Sequence, residues 1–132
     1  GIAAALRFPD RQVFSIVGDG GALMTGSELA TAVAQKAKIR VIVANNNHYG
    51  TIRYHQEVHF PTRDHYATNL VNPDFAKYGE SFGLKCFTIH NTEEILPTIK
   101  SAMKVDGPSL IEFKMSLELN TSTATISQLQ TS

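Results

Sequence analysis

Short apolar runs rich in β-branched residues recur along this chain, and each run stops abruptly in small, amide-bearing or charged residues. Residues 13–17 and 39–43 form the clearest runs, and their Val and Ile content is typical of buried strands in a parallel sheet. Weaker runs at residues 84–89 and Ser109–Lys114 predict two further strands. The last run carries a Glu and a Lys, and these charges favour a position at the edge of the sheet.

Helical periodicity fills the segment between the first two strands. Leu29, Val33 and Ala37 recur on one helical face. Thr25 is followed three residues later by Glu28, which is the form of a capping box. A helix is therefore predicted to begin at Thr25.

The second half of the chain predicts two further helices after a long loop. The loop covers residues 60–72 and shows no steady periodicity. Asn72 is then a candidate cap for a helix with Pro73 at its first position. Asn91 or Thr92 is predicted to cap a helix that continues to residue 104.

The order strand, glycine turn, helix, strand predicts a right-handed crossover between two parallel strands. We expect a three-layer, doubly wound α/β fold with a parallel sheet and helices on both faces. The carboxyl ends of the first two strands then lie at one edge of the sheet. Asp19 and Asn46 are expected to converge there, where open α/β sheets bind ligands.

Composition narrows the classes of partner and the number of domains. The 132 residues predict one domain at residues 1–119, followed by a Ser- and Thr-rich tail at 120–132 that is expected to lack order unless it docks on a partner. The net charge of zero points to neither nucleic acid nor an acidic membrane, and no apolar run is long enough to span a bilayer. Cys86 is the single cysteine, which excludes an internal disulfide framework and favours a cytoplasmic location. The chain opens inside a helical pattern without Met, so we expect it to be part of a larger protein.

The residues at the converging strand ends suit a metal-bound diphosphate. Glycines at positions 18, 20 and 21 allow backbone N–H groups to approach an anion closely. Asp19 supplies one carboxylate, Asn46 supplies an amide oxygen, and the turn at Asn47 and His48 adds carbonyl oxygens. One carboxylate with neutral oxygens and phosphate oxygens is a ligand set that Mg²⁺ prefers. The sequence therefore predicts a magnesium-diphosphate site.

These motifs resemble the signature of thiamine diphosphate-dependent enzymes. The chain has Gly-Asp-Gly at residues 18–20, then the 24 residues 21–44, then Asn-Asn at 45–46. The flanking segments at 28–32 and 49–52 resemble the pyruvate oxidase and acetolactate synthase branch of that family, which also includes benzoylformate decarboxylases. The resemblance extends from residue 3 to about residue 112, and two motif halves at this spacing are more specific than either half alone. It implies the thiamine diphosphate-binding fold.

The resemblance also implies roles for individual residues. Asp19, the Asn46 side chain and the His48 carbonyl would hold Mg²⁺. The residues expected to bind the cofactor are Gly18, Asp19, Gly20, Gly21, Ala22, Asn46, His48, Tyr49, Gly50 and Thr51. The glutamate that activates the cofactor in this family comes from another domain of a neighbouring subunit, so no catalytic residue is assigned here. Glu28 is not a substitute, because the capping box accounts for it.

For the complete protein, the resemblance implies a homodimer or homotetramer that decarboxylates or joins 2-oxo acids, with the cofactor as electron sink. It also implies that the loop at 60–72 lies beside the active site and orders when a ligand binds. Related acetolactate synthases typically carry Trp where His55 stands, which weakens assignment to that one activity. We expect Ile52 and His55 to face the entering substrate, with His55 helping to select the 2-oxo acid.

Three alternatives stand beside this interpretation. A dinucleotide-binding domain would need a third glycine where Leu23 stands and an acid where the asparagines stand. His55 and His59 are four residues apart and could share a helical face, but the neighbouring Glu is out of place for a zinc peptidase and no third ligand is evident. The chain could also be a catalytically silent cofactor-binding or interaction module.

Overall fold

The structure is a computed structural model that describes residues 1–60, 62–118 and 125–130. Its strands are β1 (Val13–Gly18), β2 (Ile39–Asn45), β3 (Lys85–Ile89) and β4 (Ser109–Lys114). Its helices are α1 (Ile2–Arg7), α2 (Asp19–Thr25), α3 (Leu29–Ala34), α4 (Gly50–His59), α5 (Phe75–Ser81), α6 (Ile95–Met103) and α7 (Ile126–Gln130). Short 3₁₀ turns at Gly26–Glu28 and Thr92–Glu94 precede α3 and α6. Within the described ranges, no helix has the length and apolar character needed to cross a membrane.

The four strands in the described ranges are parallel, in the order β1-β2-β4-β3. The carboxyl ends of β1 and β2 are in register, with Gly18 opposite Ala44. The prediction of an edge position for β4 is wrong, because β4 lies between β2 and β3. Its Glu112 is fully buried and accepts hydrogen bonds from Asn45 and Lys114, so the charge has partners inside the fold.

Helices cover both faces of the sheet, as predicted. Leu110 and Ile111 are consecutive on β4, so their side chains enter opposite faces. The core on the first face contains Ala22, Leu29, Val43, Phe75, Leu84 and Leu110. The core on the second face, under α6, contains Ile89, Ala102 and Ile111. The three-layer α/β architecture is thereby confirmed.

The predicted capping box at Thr25 is wrong. The chain becomes helical at Asp19, directly after β1, so Thr25 is the last residue of α2 and precedes a 3₁₀ turn. No side-chain hydrogen bond of Thr25 caps the following turn, and Glu28 accepts instead from the Thr31 hydroxyl at 2.9 Å. Glu28 is exposed and lies at the amino end of α3, so it still provides no group for the site.

The predicted cap of α5 is also corrected. The cap is Asp74, whose carboxylate accepts from the Lys77 backbone N–H at 3.0 Å, and this hydrogen bond lowers the pKa of Asp74. Pro73 lies before the helix, which begins at Phe75. Asn72 is therefore free of a capping role, and its side chain turns to the edge where β1 and β2 end.

The described part of the C-terminal tail folds against its own chain. Residues 126–130 form α7, which contacts α4. Ile126 is buried, and the Ser127 hydroxyl donates to Glu118 at 2.8 Å. These contacts describe how the segment packs, the expectation about the order of the tail stays a prediction, and residues 119–124, 131 and 132 lie outside the described ranges.

Arg40 is the largest fully buried side chain described, and it fastens β2 to the end of α6. Its guanidinium donates to the carbonyl oxygens of Gly107 and, at 2.8 Å, Val105, which follow α6. Burial lowers the pKa of Arg40, and the nearby Asp106 acts in the opposite direction. The side chain thus satisfies backbone carbonyls of the segment that connects α6 to β4.

Cys86 is expected to react slowly with thiol reagents. Its thiol is half-buried on β3, and burial raises the pKa of Cys86 to about 11 from 9.0. Because the thiolate is the reactive form, alkylation by iodoacetamide at pH 8 should be roughly 100-fold slower than for a small-molecule thiol of ordinary pKa. Mass spectrometry of the folded protein measures the rate, with the urea-unfolded protein as control. Equal rates in the two states would contradict the expectation.

Candidate active site

Asp19 anchors the site at the carboxyl end of β1. It is the first residue of α2, and its side chain is only 2% exposed. One carboxylate oxygen, Oδ1, accepts from the Gly20 N–H at 2.9 Å, and Oδ2 accepts from the Asn72 side-chain amide at 2.7 Å. The carboxylate plane is therefore fixed from two sides, while each oxygen keeps a further lone pair.

An asparagine-rich turn lies at the carboxyl end of the neighbouring strand β2. The Asn46 side-chain oxygen accepts from the His48 N–H at 3.1 Å, and the Asn45 side-chain oxygen accepts from the Asn47 N–H at 3.1 Å. Asn47 has a positive φ of 57°, a conformation that asparagine tolerates better than most residues. These local bonds fix the carbonyl oxygens of the turn in position.

The His48 ring forms hydrogen bonds with the turn and with α4. Its Nε2 faces the Arg53 guanidinium, which can only donate, so Nε2 accepts. The hydrogen then resides on Nδ1, which donates to the Asn46 carbonyl oxygen at 3.0 Å. Arg53 is paired in turn with Glu57, a buried residue one turn further along α4, at 3.3 Å. The helix thus supports the turn that presents the His48 carbonyl.

Asn72 is the site residue that sequence reasoning missed. Its amide nitrogen donates to Asp19 Oδ2 at 2.7 Å, to Asn45 Oδ1 at 2.9 Å and to Asn47 Oδ1 at 3.1 Å. These three contacts show that the two motif halves converge, as predicted. An asparagine before a proline reads as a turn or cap signal, and no spacing rule links it to residues so distant along the chain.

A buried chain of polar groups supports the asparagines from inside the sheet. The Asn45 amide donates to Glu112 Oε1 at 2.7 Å, and the same oxygen accepts from Lys114 Nζ at 2.6 Å. Asn45 itself is 2% exposed. Sequence reasoning assigned no role in the site to Glu112, because its partner on β2 lies 67 residues away.

The described part of the loop at 62–71 lies against the same turn. The Tyr49 N–H donates to the Thr68 carbonyl at 2.8 Å, and the Leu70 N–H donates to the Asn47 carbonyl at 2.8 Å. His48 and Asn69 also form an isolated antiparallel bridge. The predicted position of the loop beside the site is confirmed for these residues, and its ordering by a ligand stays a prediction.

Glycine is needed for different reasons at positions 18, 20 and 21 of the first motif. Gly18 has φ −70°, which any residue adopts, and apart from Gly18 itself and its two chain neighbours no described residue has an atom within 4 Å of a Cβ added there. A Cβ on Gly20 would lie 2.5 Å from the Tyr49 ring, and one on Gly21 would lie 2.9 Å from Val17. Packing therefore explains Gly20 and Gly21, whereas Gly18 leaves open space beside Asp19 that a ligand could fill.

The remaining predicted residues have different surroundings. Ala22 packs into the core, so only its backbone can serve a ligand. Tyr49 precedes α4 and is 38% exposed, and Gly50 begins that helix. The exposed residues on the first turns of α4 are Thr51, Ile52 and His55.

The two histidines considered for zinc stack on each other. The rings of His55 and His59 are 5.8 Å apart between centroids and nearly parallel. Across the described ranges, no group of three His, Cys, Asp or Glu residues is arranged to hold a metal ion. The chemistry of the asparagine turn differs, because its donors are one carboxylate and neutral oxygens.

That donor set fits Mg²⁺. Asp19 supplies the hard carboxylate oxygen that this ion prefers. The Asn46 side-chain oxygen and the His48 carbonyl each accept one backbone hydrogen bond and keep a lone pair. With the open space at Gly18, the edge of the sheet offers oxygen ligands for a cation and room for a phosphate group.

Comparison with known proteins identifies the class. Residues 1–113 match the family described as thiamine pyrophosphate enzyme, C-terminal TPP binding domain. A 3D-(3,5/4)-trihydroxycyclohexane-1,2-dione hydrolase of Bacillus subtilis is 38% identical over 118 residues, covering 83% of this chain and 18% of the relative. The acetolactate synthase large subunit of Porphyra purpurea is 32% identical over 112 residues, covering 84% of this chain and 19% of the relative.

A solved structure agrees. The thiamine diphosphate-dependent 4-hydroxybenzoylformate decarboxylase of Rhodococcus jostii RHA1 aligns with a TM-score of 0.80 and 30% identity, over 87% of this chain and 22% of that chain.

The fold and the family match together identify a thiamine pyrophosphate-binding α/β domain. The chain belongs to the family of C-terminal thiamine pyrophosphate-binding domains of thiamine pyrophosphate enzymes. The predicted family and fold are confirmed, and the dinucleotide-binding alternative is not supported. The chain spans 18% and 19% of the lengths of the two relatives, so the activity of the complete protein is a matter for proposal.

Proposed function

We propose that this chain anchors Mg²⁺ and thiamine diphosphate in an enzyme that decarboxylates or joins 2-oxo acids. The observation that carries the proposal is the meeting of Asp19 with the asparagine turn, through hydrogen bonds of 2.7 to 3.1 Å to one amide group. Relatives named as an acetolactate synthase and a decarboxylase support the reaction class.

Within this proposal each of the predicted cofactor-binding residues has a binding task. Asp19, the Asn46 side chain and the His48 carbonyl hold the cation. The backbone at Gly18–Ala22 and Tyr49–Thr51 lies along the diphosphate. When bound, the cofactor supplies an electron sink for cleavage of the bond next to the substrate carbonyl. The residues here fix its position, and fixed orientation is itself a large part of catalysis.

Substrate selection is assigned to the exposed start of α4. Ile52 is 53% exposed, and His55 lies one helical turn later on the same side. Both follow directly on the turn that is proposed to hold the cation. We infer that they face the entering 2-oxo acid.

Replacing His55 with alanine is expected to change kcat/KM by more than about twofold for at least one 2-oxo acid. The test is a decarboxylation screen of the complete protein with pyruvate, 2-oxobutanoate and benzoylformate. His90→Ala is the matched control. His90 is also exposed, but it follows β3, the outer strand at the opposite end of the strand order from β1. If His55→Ala matched wild type on every substrate, the assignment would be wrong.

The proposal extends to assembly and location. A homodimer or homotetramer in the cytoplasm is expected, and size-exclusion chromatography with light scattering tests the assembly. A complete protein that binds the cofactor but turns over no 2-oxo acid would favour the catalytically silent module instead.

A further inference from the structure

The Asn72 side chain occupies an unusual position at the meeting point of the two motif halves. Its NH₂ group has two hydrogens but faces three oxygens, on Asp19, Asn45 and Asn47, at 2.7, 2.9 and 3.1 Å. Its own oxygen is buried and has no hydrogen-bond partner among the described residues. Among the described residues, the Asn72 amide therefore makes its hydrogen bonds through its nitrogen. Its geometry serves the three oxygens at the site, while its own oxygen goes without a hydrogen bond.

Local structure does not explain this side chain. Asp74 caps α5, so Asn72 contributes nothing to that helix. Asn72 lies 53 residues from Asp19 and 27 from Asn45 along the chain. It therefore joins three separate segments: the start of α2, the end of β2 and the approach to α5.

One of the residues that Asn72 contacts, Asn45, is held in place from inside the sheet. Asn45 is fixed by its bond to buried Glu112 at 2.7 Å, and Glu112 lies on β4 in the interior of the sheet. Among the described residues, the hydrogen bonds to the Asp19 carboxylate come from the adjacent Gly20 N–H and from Asn72, so Asn72 is its hydrogen-bond partner from another segment of the chain. Because Asn72 contacts both Asn45 and Asp19, it orients the Asp19 carboxylate relative to the central strands β2 and β4.

We propose that Asn72 is a positioning residue for the cation, which it serves by orienting Asp19 relative to the asparagine turn. The inference rests on the proposed function, in which Asp19 binds Mg²⁺. Mg²⁺ demands near-ideal octahedral geometry, so a carboxylate that rotates freely is a poorer ligand. Metal-binding carboxylates are in turn hydrogen-bonded, and removal of such a partner typically lowers affinity about 10- to 100-fold.

The test is cofactor binding by Asn72→Ala in the complete protein. Isothermal titration with thiamine diphosphate and Mg²⁺ should show about 10- to 100-fold weaker binding than wild type. Asn91→Ala is the matched control, because Asn91 is an exposed asparagine before α6 whose side chain contacts Glu94 at 2.8 Å and no residue of the site. Its affinity should stay within about twofold of wild type.

A second readout separates positioning from a merely structural role. The midpoint of thermal unfolding without cofactor should be the same for wild type and Asn72→Ala, since Asn72 is partly exposed and water can replace its amide at Asp19. Asn72→Ser should show the same loss, because its hydroxyl is too short to reach all three oxygens. Titration with Mn²⁺ and thiamine diphosphate, followed by the electron paramagnetic resonance signal of free Mn²⁺, should show the weaker binding directly.

The outcomes are distinguishable. If wild type binds the cofactor and both Asn72 variants bind within about twofold of it, this inference is overturned and the proposed function stands. If the variants bind weakly only because their cofactor-free unfolding midpoint has fallen, the role is structural and the inference is again overturned. If wild type itself does not bind, the proposed function fails, and the inference fails with it.

Discussion

Asp19→Ala is expected to weaken binding of thiamine diphosphate and Mg²⁺ by more than about 100-fold in the complete protein, beyond the loss typical of an outer partner. Asp19 is the acidic side chain at the converging strand ends that is proposed to contact the cation, and it is 2% exposed. Alanine leaves the Asn46 and His48 oxygens, which carry no charge to attract a divalent ion.

Isothermal titration measures this loss. Asp10→Ala is the control, because Asp10 is an exposed carboxylate that precedes β1 at the opposite edge of the sheet. It removes the same charge from the chain and should leave the affinity unchanged. Affinity of Asp19→Ala close to wild type, with the control also unchanged, would remove Asp19 from the site.

Arg40→Ala is expected to lower the free energy of unfolding by about 3 to 5 kcal/mol. The buried guanidinium donates to the carbonyls of Gly107 and Val105, and hydrogen bonds from a charged donor are stronger than neutral ones. Alanine leaves these carbonyls without a partner and opens a cavity next to Ser109, which is fully buried. Both effects detach the end of α6 from β2.

Urea unfolding of the complete protein tests this expectation. The control is Arg11→Ala, which removes an exposed arginine whose guanidinium lies over the Phe8 ring. Hydrogen exchange of the amides at residues 103–109 should rise in Arg40→Ala and stay unchanged in Arg11→Ala. An Arg40→Ala protein with unaltered unfolding and exchange would show that the guanidinium contributes little.

The sequence predicts the half of the site that local pattern encodes. Gly18 ends β1 and Asp19 directly follows it, and Asn45 and Asn46 lie at the end of β2, so the parallel crossover alone brings the two motifs to one edge. The strand boundaries follow for the same reason, since β-branched runs that stop in small or amide residues mark them.

The other half depends on contacts that no local rule encodes. Asn72 looks like a cap because it precedes a proline, and only the tertiary fold shows that Asp74 takes that role. Glu112 looks like an edge charge because strands with charges usually lie at edges. The tertiary structure explains the burial of Glu112, because Asn45 on the neighbouring strand β2 donates a hydrogen bond to it.

The proposed anchoring of thiamine diphosphate by this domain depends on a cation. Isothermal titration of the complete wild-type protein with thiamine diphosphate, in the presence of Mg²⁺ and after removal of divalent ions with EDTA, measures that dependence. We expect saturable binding with Mg²⁺ and loss of that binding with EDTA. Absence of binding in both conditions, or equal binding in both, would show that this domain does not hold the cofactor through a cation.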